Sequence, residues 1–581
     1  MKYIIKFRWI LIFGIQWLVY AKLFNYLFIY IEQTQLFLYS FSYAIKEISQ
    51  PGGICSYIAA FLTQFYIIPY AGAAITAFLL TLIAWLTRYV LCGISIAGKS
   101  CLLYTIPALS LMILHFDFNY YIQGSVAYLF MLFCLFIYGK TSGKLHLLTG
   151  CLLPVCLFLV AGSVAVLYMV VAILYDVLTG KSKVVNAILY LCLISICCLF
   201  SLYFSWTSGW QFTMGPEQYF APALKVSKIY YPWIILPVVM VIAYGLRKQA
   251  GSVKTSYLRI GLQWCLVCIA GYGGVKYFGE LRSMKLKKMD YLVRLRDWEK
   301  VVESFDDQVL SVQRMIMLNL ALAEQGILGE KMFDFPQKGI TSLMSGWDRT
   351  AYSASLLSDI YYCMGLPSVS QKFAFEALEA SHASGNPRSL KRLIETNIIT
   401  GAYPVAEKYI YLLEQTLLYK EWATSFRRFL YNDQAVEQDP ELSLKRRCWK
   451  AEKTLPGVYK DPVSALKYLM PIVPENKAGM DYLVSFILLA KDMENYRELL
   501  ETMFRTPAWQ LLSEYQQEAV VICNPDNSHF WLRNGVSMKV ENRAVQFMNA
   551  VRKNAMRNDI MQLMAPDYGN TYWYYYMFFE D

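Results

Sequence analysis

The sequence predicts an all-α protein in two parts: a polytopic transmembrane helical bundle over residues 1–280 and a soluble α-helical repeat domain over residues 281–581. Two observations lead to this prediction. Up to residue 278 the chain repeats apolar runs that approach the length needed to cross a bilayer. After residue 281 apolar and charged residues alternate at the period of short amphipathic helices, which is typical of water-soluble helical proteins.

The composition also indicates a large lipid-facing part. Hydrophobic residues make up 56% of the chain and charged residues 17%, whereas soluble proteins carry about 25% charged residues. The net charge of +11 is explained by membrane topology, because Lys and Arg collect in cytoplasmic loops. No basic tract is interleaved with aromatic residues, so we expect no nucleic-acid partner.

The N-terminal part contains about nine apolar segments that we interpret as membrane spans. The first is too long for a signal peptide, and no small-x-small cleavage site follows it, so we predict an uncleaved helix. The shorter segments need flanking aromatic residues to complete a span. The segments are residues 9–31, 67–87, 101–114, 121–138, 145–160, 165–178, 184–204, 233–246 and 257–278.

Residues 32–65, between the first two spans, have a different pattern. Apolar and polar residues alternate at nearly helical spacing, and Pro51-Gly52-Gly53 then interrupts the helix. A helix of this kind lies in the membrane interface instead of crossing it. We therefore predict interfacial helices in a long first outer loop.

The distribution of Lys and Arg predicts the orientation. With a cytoplasmic N-terminus, most loop cations fall on the cytoplasmic side. Nine spans then place the C-terminal domain outside the cytoplasm, which is the periplasm for a bacterial inner-membrane protein. A basic cluster at residues 276–288 argues the other way, but it opens a long domain, where the rule is weaker. The cytoplasmic residues are Lys2, Lys6, Arg8, Arg88, Lys99, Lys140, Lys144, Lys181, Lys183, Arg247, Lys248, Lys254 and Arg259, and the opposite ones are Lys46, Lys225 and Lys228.

The predicted outer loops carry acidic residues that are candidates for a catalytic site. Glu32 and Glu47 belong to the first loop, Asp117 to the second and Glu217 to a later one. Carboxylates that converge from separate loops can act as general bases or bind a metal ion. Alternatively, each one only caps a helix or solvates its loop. The spacing of His and Cys indicates no metal site, and we expect no cofactor.

The first span also contains an ionisable residue, Lys22. Such a residue at membrane depth is a functional candidate. Alternatively, because it lies past the middle of the run, its side chain extends to the outer interface.

The soluble half contains a stretch that resembles a tetratricopeptide unit. Its first helix carries Leu357, Tyr361 and Gly365, and its second carries a small residue at Ala377, although Ala374 replaces the usual large aromatic residue. The following unit has Gly401 and Ala406 at the matching positions, with a spacing slightly above the usual repeat of about 34 residues. Stacked helix pairs of this kind present a concave face that binds protein segments.

Four stretches together resemble an uncharacterised family of Bacteroidales inner-membrane proteins, known as a domain of unknown function. They are EQTQLFL, the PGG followed by YIAAFLTQF, LKRLIETN with AEKYIYLLEQTLLYK, and GNTYWYYY. This resemblance implies an integral membrane protein with an extracytoplasmic helical-repeat tail.

The arrangement also resembles the polytopic type C glycosyltransferases, which have interfacial helices in a long first outer loop and acidic residues in the first two outer loops. Glu32, Glu47 and Asp117 stand in those loops here, without the family's paired acidic signature in the first. The resemblance implies sugar transfer from a polyprenyl-phosphate donor in the membrane, with Glu47 or Asp117 as the base. The donor phosphate would meet Lys22 or Lys46, since a departing phosphate needs charge compensation.

Two other functions stay open at this point, so the sequence does not decide whether the protein is an enzyme. In the first, the membrane part is an anchor and the repeat domain recruits a protein partner for envelope assembly or secretion. In the second, the protein is a transporter, although no duplication of the kind that transporters often show is evident before residue 280.

Overall fold

A computed structural model describes residues 2–95, 102–181, 184–204, 206, 209–222, 224, 226–246, 257–306, 311–381, 385–455, 461–525 and 527–579. Over these residues the protein is helical, and no β-strand occurs among them. The chain divides into an N-terminal unit, residues 1–287, and a C-terminal unit, residues 288–581. Six loop cations used for the predicted orientation lie outside the described residues: Lys99, Lys183, Lys225, Arg247, Lys248 and Lys254.

The N-terminal unit is a bundle of long apolar helices with several short ones. Its α-helices are α1 (Lys2–Leu23), α2 (Asn25–Glu32), α3 (Phe41–Ile48), α4 (Gly53–Thr63), α5 (Ala71–Ile94), α6 (Ile106–Leu114), α7 (Gln123–Lys140), α8 (Gly143–Ala161), α9 (Val164–Thr179), α10 (Val184–Tyr203), α11 (Trp210–Met214), α12 (Tyr231–Gly245) and α13 (Tyr257–Phe278). The 3-10 helices Gln64–Ile67, Leu102–Thr105, Pro216–Tyr219 and Ser227–Tyr230 connect them.

Within the described residues each of the nine predicted segments coincides with helix, but fewer of them are both long and apolar enough to be a span. Among the described residues, five helices are long and apolar enough to cross a membrane, or six if the bent pair α1–α2 counts as one. The five are α5, α7, α8, α10 and the helical segment Ser227–Gly245, which contains α12. The apolar helices Leu102–Leu114 and Val164–Thr179 are shorter.

The first apolar run is not the single straight helix that the sequence predicts. It breaks at Phe24, where α2 turns away from α1 by 75°. The break is stabilised by aromatic packing, since the fully buried Phe24 ring stacks on Phe116 with a centroid distance of 4.4 Å. The Asn25 side chain also accepts a hydrogen bond from the Tyr70 amide at 2.8 Å. Burial against these partners therefore outweighs continuation of α1.

The C-terminal unit consists of shorter helices, and its boundary with the first unit falls inside α14. The helices are α14 (Leu281–Arg294), α15 (Trp298–Glu303), α16 (Val312–Glu324), α17 (Leu328–Lys331), α18 (Ala351–Met364), α19 (Pro367–Glu379), α20 (Pro387–Ile399), α21 (Tyr403–Glu414), α22 (Lys420–Phe426), α23 (Asp433–Gln438), α24 (Pro440–Glu452), α25 (Pro462–Ile472), α26 (Lys477–Leu489), α27 (Met493–Thr502), α28 (Glu514–Cys523), α29 (Ser528–Arg533), α30 (Met538–Asn554), α31 (Ile560–Tyr568) and α32 (Tyr572–Phe578).

Consecutive helices of this unit pack in pairs in the stretch for which the sequence predicts repeats. Gly365, which ends α18, has a φ of +87°, a left-handed conformation that favours glycine. Only Gly365 and Leu366 separate α18 from α19, and so short a connection makes the two helices antiparallel neighbours. Ala374 and Ala377 are fully buried, and their small side chains let α19 approach its neighbours closely.

The aromatic C-terminal segment packs inside the C-terminal unit. The side chains of Tyr572, Trp573 and Tyr575 are buried. The Tyr572 hydroxyl donates to the Leu488 carbonyl at 2.8 Å, and the Trp573 indole donates to the Glu518 carbonyl at 3.0 Å. This segment therefore belongs to the hydrophobic core of the unit.

Candidate functional site

A partly buried polar site of the N-terminal unit is centred on Asp117, in the loop between α6 and α7. Its Oδ1 accepts hydrogen bonds from the backbone and side-chain amides of Asn119, both at 2.9 Å. Its Oδ2 lies 2.7 Å from Lys228 Nζ, and both side chains are only about one-sixth exposed. These partners hold the carboxylate in one orientation.

Backbone pairing brings the Asp117 loop to the segment that supplies Lys228. Tyr120 and Phe220 form an antiparallel bridge. The Tyr121 amide donates to the Tyr219 carbonyl, and the Ala221 amide donates to the Asn119 carbonyl, both at 3.0 Å. The ion pair is therefore positioned by main-chain hydrogen bonds as well as by its own attraction.

The short helix whose Lys228 pairs with Asp117 also holds a second carboxylate. The 3-10 helix Ser227–Tyr230 carries Lys228, the partner of Asp117, and Tyr230, whose hydroxyl donates to Glu217 Oε1. The other oxygen, Glu217 Oε2, is buried and has no hydrogen-bond partner within the described part of the chain. One turn of helix thus fixes two carboxylates from separate loops.

Two further loops are attached to this region by Gln218. Its side-chain oxygen accepts from the Ser163 amide at 2.7 Å, and its amide donates to the Pro51 carbonyl at 3.2 Å. Gly162 permits the contact, because a Cβ atom there would lie 2.3 Å from Gln218 Oε1. The predicted chain break at residues 51–53 therefore meets the turn between α8 and α9.

An aromatic contact brings α2 to the Asp117 loop. The rings of Tyr30 and Phe118 meet edge to face with centroids 5.4 Å apart. Lys287 Nζ lies 5.5 Å from the Tyr30 centroid and 5.4 Å from that of Phe118. Glu32, at the end of α2, is buried. The structure thus places the start of the first predicted loop beside the second.

An apolar cleft is lined by residues that are close in sequence to the ion pair. It has a volume of about 370 Å³ and is bounded by α6, α12 and α13. We call it the α6–α12–α13 cleft. Phe116 and Tyr231 line it, and they are close in sequence to Asp117 and Lys228 respectively. The remaining lining residues are Ile106, Leu109, Ser110, Met112, Ile113, Ile235, Leu266, Val267, Ala270, Gly271 and Gly274.

A second cleft, bounded by α1, α6 and α13, shares part of this lining. It has a volume of about 490 Å³, and its few polar side chains include Gln16, Thr105 and Lys276. Leu109, Met112, Val267 and Gly271 line both clefts. Space suited to apolar chains therefore lies on two sides of α13.

The other predicted site residues are separate from the Asp117–Lys228 pair in their contacts. Glu47, on α3, is half-buried and accepts a hydrogen bond from the Ser56 hydroxyl at 3.3 Å. Lys46 is exposed on the same helix, and Lys22 is exposed in the last turn of α1. The sequence analysis missed Lys228 as a partner of Asp117. The only sequence signal for this pairing was that Lys228, like Asp117, was predicted to lie in an outward-facing loop.

Comparison with known proteins gives one match. The chain matches, over residues 1–579, the model described as "Family of unknown function (DUF6057)". This confirms the resemblance to an uncharacterised domain-of-unknown-function family. No curated protein and no solved structure matches the chain.

Proposed function

We propose that this chain, which belongs to the family of unknown function DUF6057, is a membrane enzyme that acts on a lipid-linked substrate. It would transfer a sugar from a polyprenyl-phosphate donor to an envelope acceptor, as the type C glycosyltransferases do. The observation that carries the proposal is the lining of the α6–α12–α13 cleft, which includes Phe116, next to Asp117 in the sequence, and Tyr231, three residues after Lys228. An apolar chain and a charged head group would meet there.

Several helices of the N-terminal unit are apolar enough to span a membrane, so a lipid can reach the cleft laterally. We propose that the Asp117 loop faces the periplasmic side of a bacterial inner membrane, with the N-terminus in the cytoplasm and the C-terminal unit in the periplasm. The orientation rests on the sequence distribution of Lys and Arg.

In the proposed reaction, Lys228 contacts the donor phosphate and stabilises its charge as it departs. The bond between the anomeric carbon of the sugar and the phosphate oxygen breaks, and the acceptor hydroxyl oxygen bonds to that carbon. Asp117, released from Lys228 by the phosphate, accepts the proton of the acceptor. Glu32 and Glu217 would lie beside the head group, and Glu47 would keep a structural contact with Ser56.

Mass spectrometry of lipids that co-purify with the full chain in a mild detergent tests this proposal. We expect a phosphate-bearing polyprenyl lipid with the natural chain, its loss from Lys228→Met, and its retention by Lys46→Met. If Lys46→Met lost the lipid and Lys228→Met kept it, the phosphate contact would belong to the first loop. Absence of any such lipid from the natural chain would overturn the proposal.

A second candidate function is recruitment of a protein partner by the C-terminal unit, with the N-terminal unit as an anchor. A cavity of about 640 Å³ in the C-terminal unit favours it, because acidic side chains outnumber basic ones in its lining. We propose that a tetratricopeptide-like stack of helices binds a basic protein segment there. The ionisable lining residues are Glu330, Asp334, Asp481, Glu514, Glu518, Lys477 and Arg543.

Binding of a Lys- and Arg-rich peptide to the full chain distinguishes this function from the first. We expect binding that weakens when Asp334 and Glu514 are both changed to their amides and that is unaffected by Lys228→Met. Equal binding of an acidic peptide of the same length would rule the proposed recognition out.

A further inference from the structure

The second of the two clefts, which we call the α1–α6–α13 cleft, runs along one face of α1. Its lining residues on that helix recur every three or four positions: Ile12, Ile15, Gln16, Val19 and Leu23. From the first to the last of these the helix rises about 16 Å, at about 1.5 Å per residue. This length is close to half of the bilayer hydrocarbon core, which is about 30 Å thick. The cleft is therefore about as long as one leaflet is deep.

Helix α13 is attached to the rest of the bundle at both ends of this cleft. At one end the Leu102 amide donates to Gln263 Oε1 at 3.2 Å. At the other end, a Cβ atom on Gly279 would lie 3.1 Å from Phe24 Cζ. Between these two contacts α13 and α1 are separated by a cleft of about 490 Å³. Cavities of roughly 300–1,000 Å³ are of the size that binds small ligands.

The polar groups of two lining residues already have partners in the protein. The Thr105 hydroxyl donates to the Leu102 carbonyl at 2.7 Å, and Gln16 Oε1 accepts from the Thr81 hydroxyl at 3.5 Å. No acidic side chain occurs in the lining that the structure describes. The interior of the cleft therefore suits a hydrocarbon chain.

A lysine stands at one end of this apolar lining. Lys276, in the last turn of α13, lines the cleft, is exposed, and makes no ion pair or hydrogen bond with the described part of the chain. Lys22 is exposed in the last turn of α1, next in sequence to the lining residue Leu23. The proximity of Phe24 to Gly279 places both last turns at the same end of the cleft. Cations at the end of an apolar cleft complement a lipid phosphate.

The cleft is also open to its surroundings along its side. Four of its apolar or aromatic lining residues are exposed: Ile15, Leu23, Tyr272 and Leu281. In a unit whose long helices are apolar enough to cross a membrane, such a surface faces lipid. A membrane lipid can therefore enter the cleft from the side.

We propose that the α1–α6–α13 cleft binds one anionic phospholipid. An acyl chain of this lipid lies between α1 and α13, and its phosphate contacts Lys276. A polyprenyl chain is much longer than one leaflet is deep, so the length of the cleft favours an acyl chain. The inference does not depend on the proposed sugar transfer, because both the lipid and the cleft differ from those assigned to the donor.

The bound lipid would support α13 from one side. Leu109, Met112, Val267 and Gly271 line this cleft and also the α6–α12–α13 cleft. An acyl chain packed against them replaces helix contacts that α13 lacks along its middle.

Native mass spectrometry of the full chain in detergent, with added phosphatidylglycerol or phosphatidylcholine, tests the proposal. We expect one phosphatidylglycerol to stay bound and phosphatidylcholine to bind more weakly. Cys268→Phe should remove most of the bound phosphatidylglycerol, because Cys268 lines this cleft and not the other. Cys265→Phe is the matched control, since Cys265 is an exposed cysteine of the same helix and lines neither cleft.

Lys276→Met tests the head-group contact separately. We expect phosphatidylglycerol to bind about fivefold more weakly and phosphatidylcholine to be little changed. Lys144→Met is the control, because Lys144 is an exposed lysine of α8 that lines neither cleft. Since Lys276 is exposed, this variant should fold and give a result even if Cys268→Phe does not.

Three results would overturn the proposal. They are equal binding of the two phospholipids, equal loss in Cys268→Phe and Cys265→Phe, and unchanged phosphatidylglycerol binding in Lys276→Met. A polyprenyl lipid that co-purifies with the natural chain should be retained by Cys268→Phe, and its loss in place of the phospholipid would also contradict the proposal. The phospholipid results hold whether or not a polyprenyl lipid is found, so failure of the proposed sugar transfer is recognised separately.

Discussion

Lys228 Nζ lies 2.7 Å from Asp117 Oδ2, and this ion pair joins two loops that are far apart in the sequence. Either single neutral substitution leaves a largely buried charge without its partner. We expect Asp117→Asn and Lys228→Met each to destabilise the detergent-solubilised chain by about 2 kcal/mol. Thermal unfolding followed by intrinsic fluorescence measures this loss.

Exchanging the two charges separates the structural role of the pair from its proposed catalytic role. The double variant Asp117→Lys, Lys228→Asp restores the ion pair but not the two hydrogen bonds that Asn119 donates to Asp117, so we expect it to be more stable than either single variant and less stable than the natural chain. Lipid retention should stay lost, because the cation is now on the other loop. Full lipid retention by the exchanged pair would contradict the assignment of Lys228 to the phosphate.

Filling the cleft tests whether an apolar chain occupies it. Gly271 lines both clefts, and a Cβ atom there would have no neighbour within 4 Å, so Gly271→Leu adds volume without a clash at its Cβ atom. We expect at least a fivefold loss of co-purifying polyprenyl lipid. Gly273→Leu is the matched control, because this exposed glycine is in the same helix and lines neither cleft. Equal loss in both variants would mean that α13 itself was disturbed.

Gly365 allows a test of the helix pairing in the C-terminal unit. Its φ of +87° is unfavourable for any side chain, and an added Cβ atom would lie 2.5 Å from Asn476 Nδ2. We expect Gly365→Ala to lower the free energy of unfolding by about 2 kcal/mol. Gly346→Ala is the control, since a Cβ atom there has no neighbour within 4 Å. Chemical denaturation measures the free energy of unfolding of both variants. An equal loss in both would contradict a specific role for Gly365.

Glu518 predicts a pH dependence for the C-terminal unit. Burial raises the pKa of its carboxyl to about 8, whereas an unfolded Glu titrates near about 4.3. Between these values the folded state binds more protons than the unfolded state, so stability falls as the pH rises through this window. Burial also raises the pKa of Asp481, to about 6, which adds to the slope in the lower part of the window.

Glu518→Gln should remove the pH dependence of stability in the upper part of this pH window. The amide oxygen still accepts the hydrogen bond from the Tyr572 backbone, so the fold is retained. At pH 8 we expect the variant to be more stable than the natural chain by about 2 kcal/mol, with no gain at pH 4. Unfolding by urea at several pH values measures the difference. A gain that is the same at both pH values would show that the carboxyl does not titrate as stated.

Much of the architecture follows from sequence patterns because these report on burial. Apolar runs locate the long helices, and Gly365 and Gly401 mark the ends of α18 and α20. The bend at Phe24 was not predictable, because it depends on stacking against Phe116, which lies in a distant part of the sequence. Local hydrophobicity alone favours one straight helix there.

The same limit applies to the candidate site. Asp117 was predicted from its residue type and position, but its partner Lys228 depends on the pairing of Tyr120 with Phe220. Asp176 and His146, whose side chains lie 3.0 Å apart, are inside apolar runs, where a polar residue was a signal that the sequence analysis did not use. The contact between them depends on how α8 and α9 pack.

The bridge between Tyr120 and Phe220 has a consequence for biosynthesis. The Asp117 loop leaves the ribosome well before the segment that carries Lys228, and α13, which closes the cleft, follows both. A nascent chain halted after α10 therefore has neither the cation nor the closed cleft. In the proposed mechanism, binding of the lipid donor has to wait until α12 and α13 have been synthesised, and partly synthesised chains would not bind it.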